Sequence, residues 1–131
     1  MEIMRWAFTH GEPAGPMRHY AQAALRPWLT FDDLDDAMVV ISELVQNVSQ
    51  HTVGGGELVV VVEPSAITIE VRDHSSVLPQ VQAPDPQRLG GRGLLLVAGV
   101  TRSWGAAPTS RGKVVWARLA TTDIFTGATL G

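Results

Sequence analysis

The sequence predicts a single α/β domain, and three observations carry that expectation. Apolar side chains recur at helical period from Leu34 to Val48. Strand patterns at Leu58 to Val62 and Ile67 to Asp73 flank a Pro64-Ser65 turn. The chain has 131 residues, 45% of them hydrophobic, which suits one domain with one core. A chain of this size buries roughly two-thirds of the surface it exposes when unfolded.

Each element follows in order. Met4, Trp6 and Phe8 alternate with Arg5 and Ala7, a short half-buried strand ended by the turn-forming stretch Gly11 to Pro16. From Met17, the residues Tyr20, Ala24, Leu25 and Trp28 recur at helical spacing, and Pro27 should end this first helix near Arg26. Thr30 is an N-cap candidate, and Asp32, Asp33, Asp35 and Asp36 crowd the positive end of the next helix dipole. In that second helix, expected to reach about His51, Leu34, Ala37, Met38, Ile41, Leu44, Val45 and Val48 form one stripe. Asp36, Glu43, Asn47 and Gln50 form the opposite side. Gly54-Gly55-Gly56 breaks the chain. Leu58 to Val62 is the continuous β-branched run of a central strand, and Ile67 to Asp73 alternates as a strand with one buried face, so the two should form a hairpin. Residues 74–89 contain three prolines and no period, a length that marks a lid or binding loop more than a connector. Leu94 to Val100 reads as a short apolar helix. Strands near Ser103 to Ala106 and from Lys113 to Leu119 should follow, joined by a turn at Thr109 to Gly112. The domain is expected over residues 1–120, with 121–131 a weakly ordered tail.

Composition narrows the function. Without cysteine there is neither a disulfide framework nor a thiolate metal site, and the four histidines lack short ligand spacing for zinc. Thirteen acids against ten bases give a net charge of -3 with no basic block, so direct nucleic-acid binding is disfavoured. Nine of the ten bases are arginine, a bias to which no chemistry is attached. The longest apolar runs fall far below the roughly 18 to 20 residues of a membrane span. The opening Met-Glu-Ile-Met-Arg does not read as a secretion signal, so a cytoplasmic protein is expected.

Three places carry candidate chemistry. Glu43, Asn47 and His51 are spaced by four, so they rise along one side of the second helix and can face one ligand; a solvated helix face has the same pattern. Asp73 closes a buried-looking strand ahead of His74-Ser75-Ser76, a contact residue or an ordinary Asx turn. Gly90-Gly91-Arg92-Gly93 lets backbone N–H groups approach an anion at a helix start, or is a flexible turn before a core helix. It lacks the third glycine of a dinucleotide fingerprint and follows a loop, and no Gly-Lys-Ser/Thr exists for a P-loop.

The order of these pieces is more specific than any one of them: Glu-Leu-Val-Gln-Asn-Val-Ser-Gln-His at 43 to 51, Val-Arg-Asp-His-Ser at 71 to 75, Gly-Gly-Arg-Gly-Leu-Leu-Leu-Val at 90 to 97. The series resembles the GHKL ATP-binding superfamily, and within it the small actinobacterial anti-sigma-factor serine kinases and other histidine-kinase-like ATPase domains. The likeness runs from Trp6 to Leu119 and includes Ser103-Trp104-Gly105 and Gly112-Lys113-Val114-Val115-Trp116. It implies the Bergerat fold, a two-layer sandwich whose mixed, largely antiparallel sheet carries helices on one face. ATP and magnesium would lie between the second helix and residues 74–93. By the same resemblance, Asn47 binds magnesium and Glu43 activates the phosphoryl acceptor. Asp73 contacts adenine, and Ser75, Gly91, Arg92, Gly93 and Leu94 complete the nucleotide site.

Residue chemistry agrees. A carboxylate accepts from the adenine amino group, where guanine offers an acceptor oxygen. Magnesium prefers oxygen ligands and keeps several waters, so one Asn carbonyl plus phosphate oxygens suffices. Phosphoryl transfer needs positioning and a carboxylate for the acceptor hydroxyl. The resemblance implies a serine/threonine protein kinase that binds a sigma factor or a STAS-type anti-anti-sigma protein and phosphorylates the latter, and members of the group often form homodimers. The alternative is a non-catalytic partner-binding module with weak or structural ATP binding. It is suggested by the loop His74-Ser75-Ser76-Val77-Leu78-Pro79, which has no glycine before Gly90. A detached histidine-kinase catalytic domain is a third option, disfavoured because no dimerisation helices or phosphoacceptor histidine motif can be identified.

Overall fold

A computed structural model describes residues 1–51, 55–73, 103–110 and 112–121. In chain order these form β1 (Glu2–Phe8), α1 (Gly15–Leu25), a 3-10 turn (Arg26–Trp28), α2 (Phe31–His51), β2 (Gly56–Glu63), β3 (Ala66–Asp73), β4 (Ser103–Thr109) and β5 (Gly112–Ala120). The strands make one sheet in the order β1-β2-β3-β5-β4, and all four described pairings are antiparallel. α1 packs on β1 and on α2, while α2 lies across β2, β3 and β5.

One face of the sheet and the facing stripes of both helices make a common core. Met4 and Phe8, Leu58, Val60 and Val62, Ile67, Ile69 and Val71, and Val115, Ala117 and Leu119 pack against Leu25, Ile41, Leu44 and Val48. The period-two alternation of each strand puts these residues on the helix side. On the other face, Arg5 pairs with Glu2 and Glu57, Arg72 with Glu70, and Arg118 with Glu63. The two-layer arrangement with helices on one face is therefore the observed one.

Local signals account for most boundaries. Thr30 caps α2: its hydroxyl accepts from the Asp33 N–H at 3.2 Å, and Asp32 and Asp33 stand in the first turn. The regular helix α1 stops at Leu25, and Pro27 falls in the 3-10 turn that follows it. Gly11 turns the chain after β1 with φ of 81°, where the Glu12 N–H donates to the Thr9 carbonyl.

Three details differ from expectation. β1 begins at Glu2, two residues earlier than its alternation suggests, because a register shift between Glu2 and Met4 breaks the pattern and the terminal ammonium donates to the Val62 carbonyl. Tyr20 is no core residue of α1; it is 45% exposed, lies against Trp6 with ring centroids 5.1 Å apart, and leaves the core face to Met17, Ala21 and Leu25. β4 continues through Pro108 to Thr109, which an edge strand tolerates because one side of its backbone needs no partner.

Candidate functional site

The sheet topology gathers one end of four strands. Phe8 at the end of β1 pairs with Gly56 at the start of β2, Gly56 with Asp73 at the end of β3, and Asp73 with Lys113 at the start of β5. α2 must arrive at this same end, since Gly55 follows His51 by four peptide steps, which span at most about 14 Å. Asn47 and Glu43 stand about one and two turns before that end of α2.

Glu43 and Asn47 stand one turn apart on α2 and are half-buried, as is Asp36. Their side of the helix is thus a flank between the core stripe and the exposed row of Asp32, Asp35, Val39 and Gln46. Helix geometry explains the difference from the expected opposite face: at 100° per residue, positions 36, 43 and 47 fall beside Val40, which is wholly buried. A flank of this kind can face a ligand while remaining tied to the core. His51 ends α2.

Asp73 is 2% exposed and Lys113 5% exposed. The Lys113 ammonium lies 3.7 Å from Oδ2 of Asp73, an ion pair at more than hydrogen-bond length. Burial holds the Lys113 ammonium below the usual lysine pKa, and the charge of Asp73 partly opposes that shift. Gly56, the neighbour of Asp73 on its other side, has no room for a side chain. A Cβ there would stand 2.6 Å from the Arg72 carbonyl oxygen and 2.8 Å from the Phe8 ring. The backbone around Asp73 is closely set.

Lys113 carried no role in the sequence reading, although a signal for it exists. It is the sole lysine, and it occupies the same alternation as Val115, Ala117 and Leu119, which places an ammonium on the buried face of β5. Ser75, Gly91, Arg92, Gly93 and Leu94 lie outside the described residues, as do the expected loop 74–89 and the helix 94–100.

A separate cavity of about 400 Å³ opens between the segment after β1 and α2, lined among others by Phe8, His10, Met17, Ser42, Val45 and Gln46. None of Glu43, Asn47 and Asp73 lines it. The candidate site is therefore distinct from this cavity.

These residues suit an adenine nucleotide with magnesium. Asp73 is a buried acceptor, the type of group that reads an exocyclic amine, and burial excludes the water that would compete for it. Asn47 offers a neutral oxygen donor of the hard kind magnesium prefers. No cluster of three or more His, Cys, Asp or Glu occurs among the described residues.

A search of curated proteins finds no match to the sequence. The family model of the histidine kinase-like ATPase domain matches residues 10–119. That span begins just after β1 and ends in β5, taking in α1, α2, the strands β2 to β4 and every candidate site residue. With the strand-end Asp73, the Glu43 and Asn47 flank of α2 and a match over most of the chain, this protein belongs to the histidine kinase-like ATPase domain family, a family of ATP-binding domains.

Proposed function

We propose that this ATP-binding domain is a cytoplasmic serine/threonine protein kinase of the anti-sigma type, which binds a sigma factor, a STAS-type anti-anti-sigma protein or both, and phosphorylates the latter. The observation that carries the reading is the shared half-buried flank of Glu43 and Asn47, one turn apart on α2. Holding a nucleotide needs an oxygen donor and a base-reading group. A carboxylate one turn from the metal-binding amide has no part in binding an anionic phosphate, and its repulsion disfavours it there. It does suit activation of a hydroxyl.

In this reading Asp73 selects the base, Asn47 contributes its amide oxygen to magnesium, and Glu43 orients the acceptor hydroxyl and takes its proton. Magnesium, when bound, neutralises charge between the phosphates. Phosphoryl transfer asks for positioning more than covalent participation, which a rigid helix flank provides. The test is incubation with ATP, magnesium and purified STAS-type proteins, followed by mass spectrometry of the products. Phosphoserine or phosphothreonine on a STAS protein, lost in Glu43→Ala, is the expected result; binding of a partner without any transfer removes the kinase assignment.

One observation favours the non-catalytic reading. Asp73 is already engaged by a buried cation, so a nucleotide meets a carboxylate whose charge is compensated. A partner-binding module with weak or structural ATP binding fits that feature, and it predicts complex formation that is indifferent to magnesium and to Glu43.

A further inference from the structure

We propose that Lys113 is a positioning residue for adenine selection: it holds the carboxylate of Asp73 in the orientation that accepts the purine 6-amino group. The inference rests on the reading of Asp73 as the base-selecting residue.

The first observation is the cost of placing a lysine there. Lys113 starts a row continued by Val115, Ala117 and Leu119, all on the core face of β5, where an apolar side chain would pack without desolvating a charge. The second is its partner. Lys113 is the direct cross-strand neighbour of Asp73, with Nζ 3.7 Å from Oδ2, and both side chains are almost wholly buried. The other ion pairs among the described residues, those of Arg5, Arg72 and Arg118, have side chains about a quarter to a half exposed. A buried pair is no efficient way to stabilise a fold, since desolvation offsets much of the attraction. Specificity is the better account of its presence.

The third observation is the type of cation, a lysine and not an arginine. An aspartate's terminal torsion is broad and roughly two-fold, so the backbone of β3 sets where the carboxylate is without setting its plane. A point charge drawn to one oxygen fixes that plane. An arginine fork at the same place engages both oxygens and competes with an exocyclic amine for them, whereas an ammonium engages one. On its other side Asp73 pairs with Gly56 of β2, which brings no side chain of its own beside the carboxylate.

The test compares binding of ATP, of purine riboside triphosphate, which lacks the 6-amino group, and of GTP to the full-length protein by calorimetry. The parent is expected to bind ATP about tenfold to a hundredfold more tightly than purine riboside triphosphate, the scale of one hydrogen bond to a charged group. In Lys113→Met and in Lys113→Arg that ratio should fall toward one, with the affinity for purine riboside triphosphate unchanged within about twofold. The arginine variant keeps the charge and so keeps the test readable where the methionine variant fails to fold. A parent ratio near one overturns the role of Asp73, and the positioning role with it. A parent that discriminates, with variants that discriminate equally well, leaves Asp73 intact and overturns the role of Lys113. Equal weakening for both nucleotides marks Lys113 as structural only and overturns the proposal as well.

Discussion

Asp73 and Lys113 form a coupled unit whose parts make separable predictions. Asp73→Asn preserves the shape and removes the charge. It should weaken ATP binding by about 1 to 3 kcal/mol, measured by calorimetry, and leave the GTP affinity no better than weak. Lys113 also gives the protein a pH signature. Because burial lowers its pKa in the folded state below the usual 10.5, the unfolded chain binds more protons across the window from the lowered value up to 10.5. Stability therefore rises with pH through that window. Denaturation midpoints recorded between neutral pH and 10.5 should climb for the parent and climb less for Lys113→Met; identical slopes mean the ammonium is not desolvated. On α2, Glu43→Ala should keep most of the ATP affinity while phosphate transfer falls by about a hundred- to ten-thousand-fold, and Asn47→Ala should remove the magnesium dependence of ATP binding. The residue identities behind these expectations were legible in the sequence for Glu43, Asn47 and Asp73. Lys113 is not legible in the same way, because its alternation with Val115 marks a strand while its partner Asp73 lies forty positions away.

Among the elements, α2 and the β2–β3 hairpin do most of the positioning, and they are stabilised in different ways. Removing the α2 cap with Thr30→Ala should cost about 0.5 to 2 kcal/mol, whereas Leu44→Ala, from the wholly buried stripe, should cost about 2 to 5 kcal/mol. Denaturant titration of the two variants decides the order; the cap orients the helix start, and the core holds the helix on the sheet. The start of β2 offers a sharper contrast. Gly56→Ala forces a Cβ against the Arg72 carbonyl and the Phe8 ring and should destabilise clearly, while Gly15→Ala at the start of α1 meets no atom within 4 Å beyond its chain neighbours, so only the restriction from the following Pro16 opposes it and the cost should be smaller. If Gly56→Ala is as stable as the parent, the close backbone approach around Asp73 is not as tight as described. Elements defined by near neighbours in sequence were readable in advance, as Thr30 with its aspartates and Pro64-Ser65 between two strands show. The early start of β1 was not, because its first pairing is with Val61 and its terminal ammonium bonds Val62, both some sixty residues away.

At the scale of the molecule, the sheet order β1-β2-β3-β5-β4 sets what can respond to a nucleotide. β5 lies between β3 and β4, paired on both sides, so its amides over 113–119 should exchange slowly and change little when ATP binds. Amides near Asn47 and those of Gly90 to Gly93 should gain protection together if the glycine stretch and the magnesium site hold one phosphate chain. Hydrogen exchange with and without ATP measures this, and a gain confined to one of the two places contradicts a shared site. The sequence by itself determined the α/β class, the span and cap of α2, the hairpin, and the order of Glu43, Asn47 and Asp73. All of these rest on periodicity and turn chemistry within a few residues. Only the tertiary structure decided which strand lies beside β3, and with it that Lys113, forty positions along the chain, is the buried partner of Asp73. It likewise decided that Glu43 and Asn47 stand on a half-buried flank instead of a solvated face, and that Tyr20 leaves the core to Ala21. The physical reason is common to all three. Burial and pairing across a sheet depend on which distant segments meet, whereas the pattern of a single element records only that one of its faces will be covered.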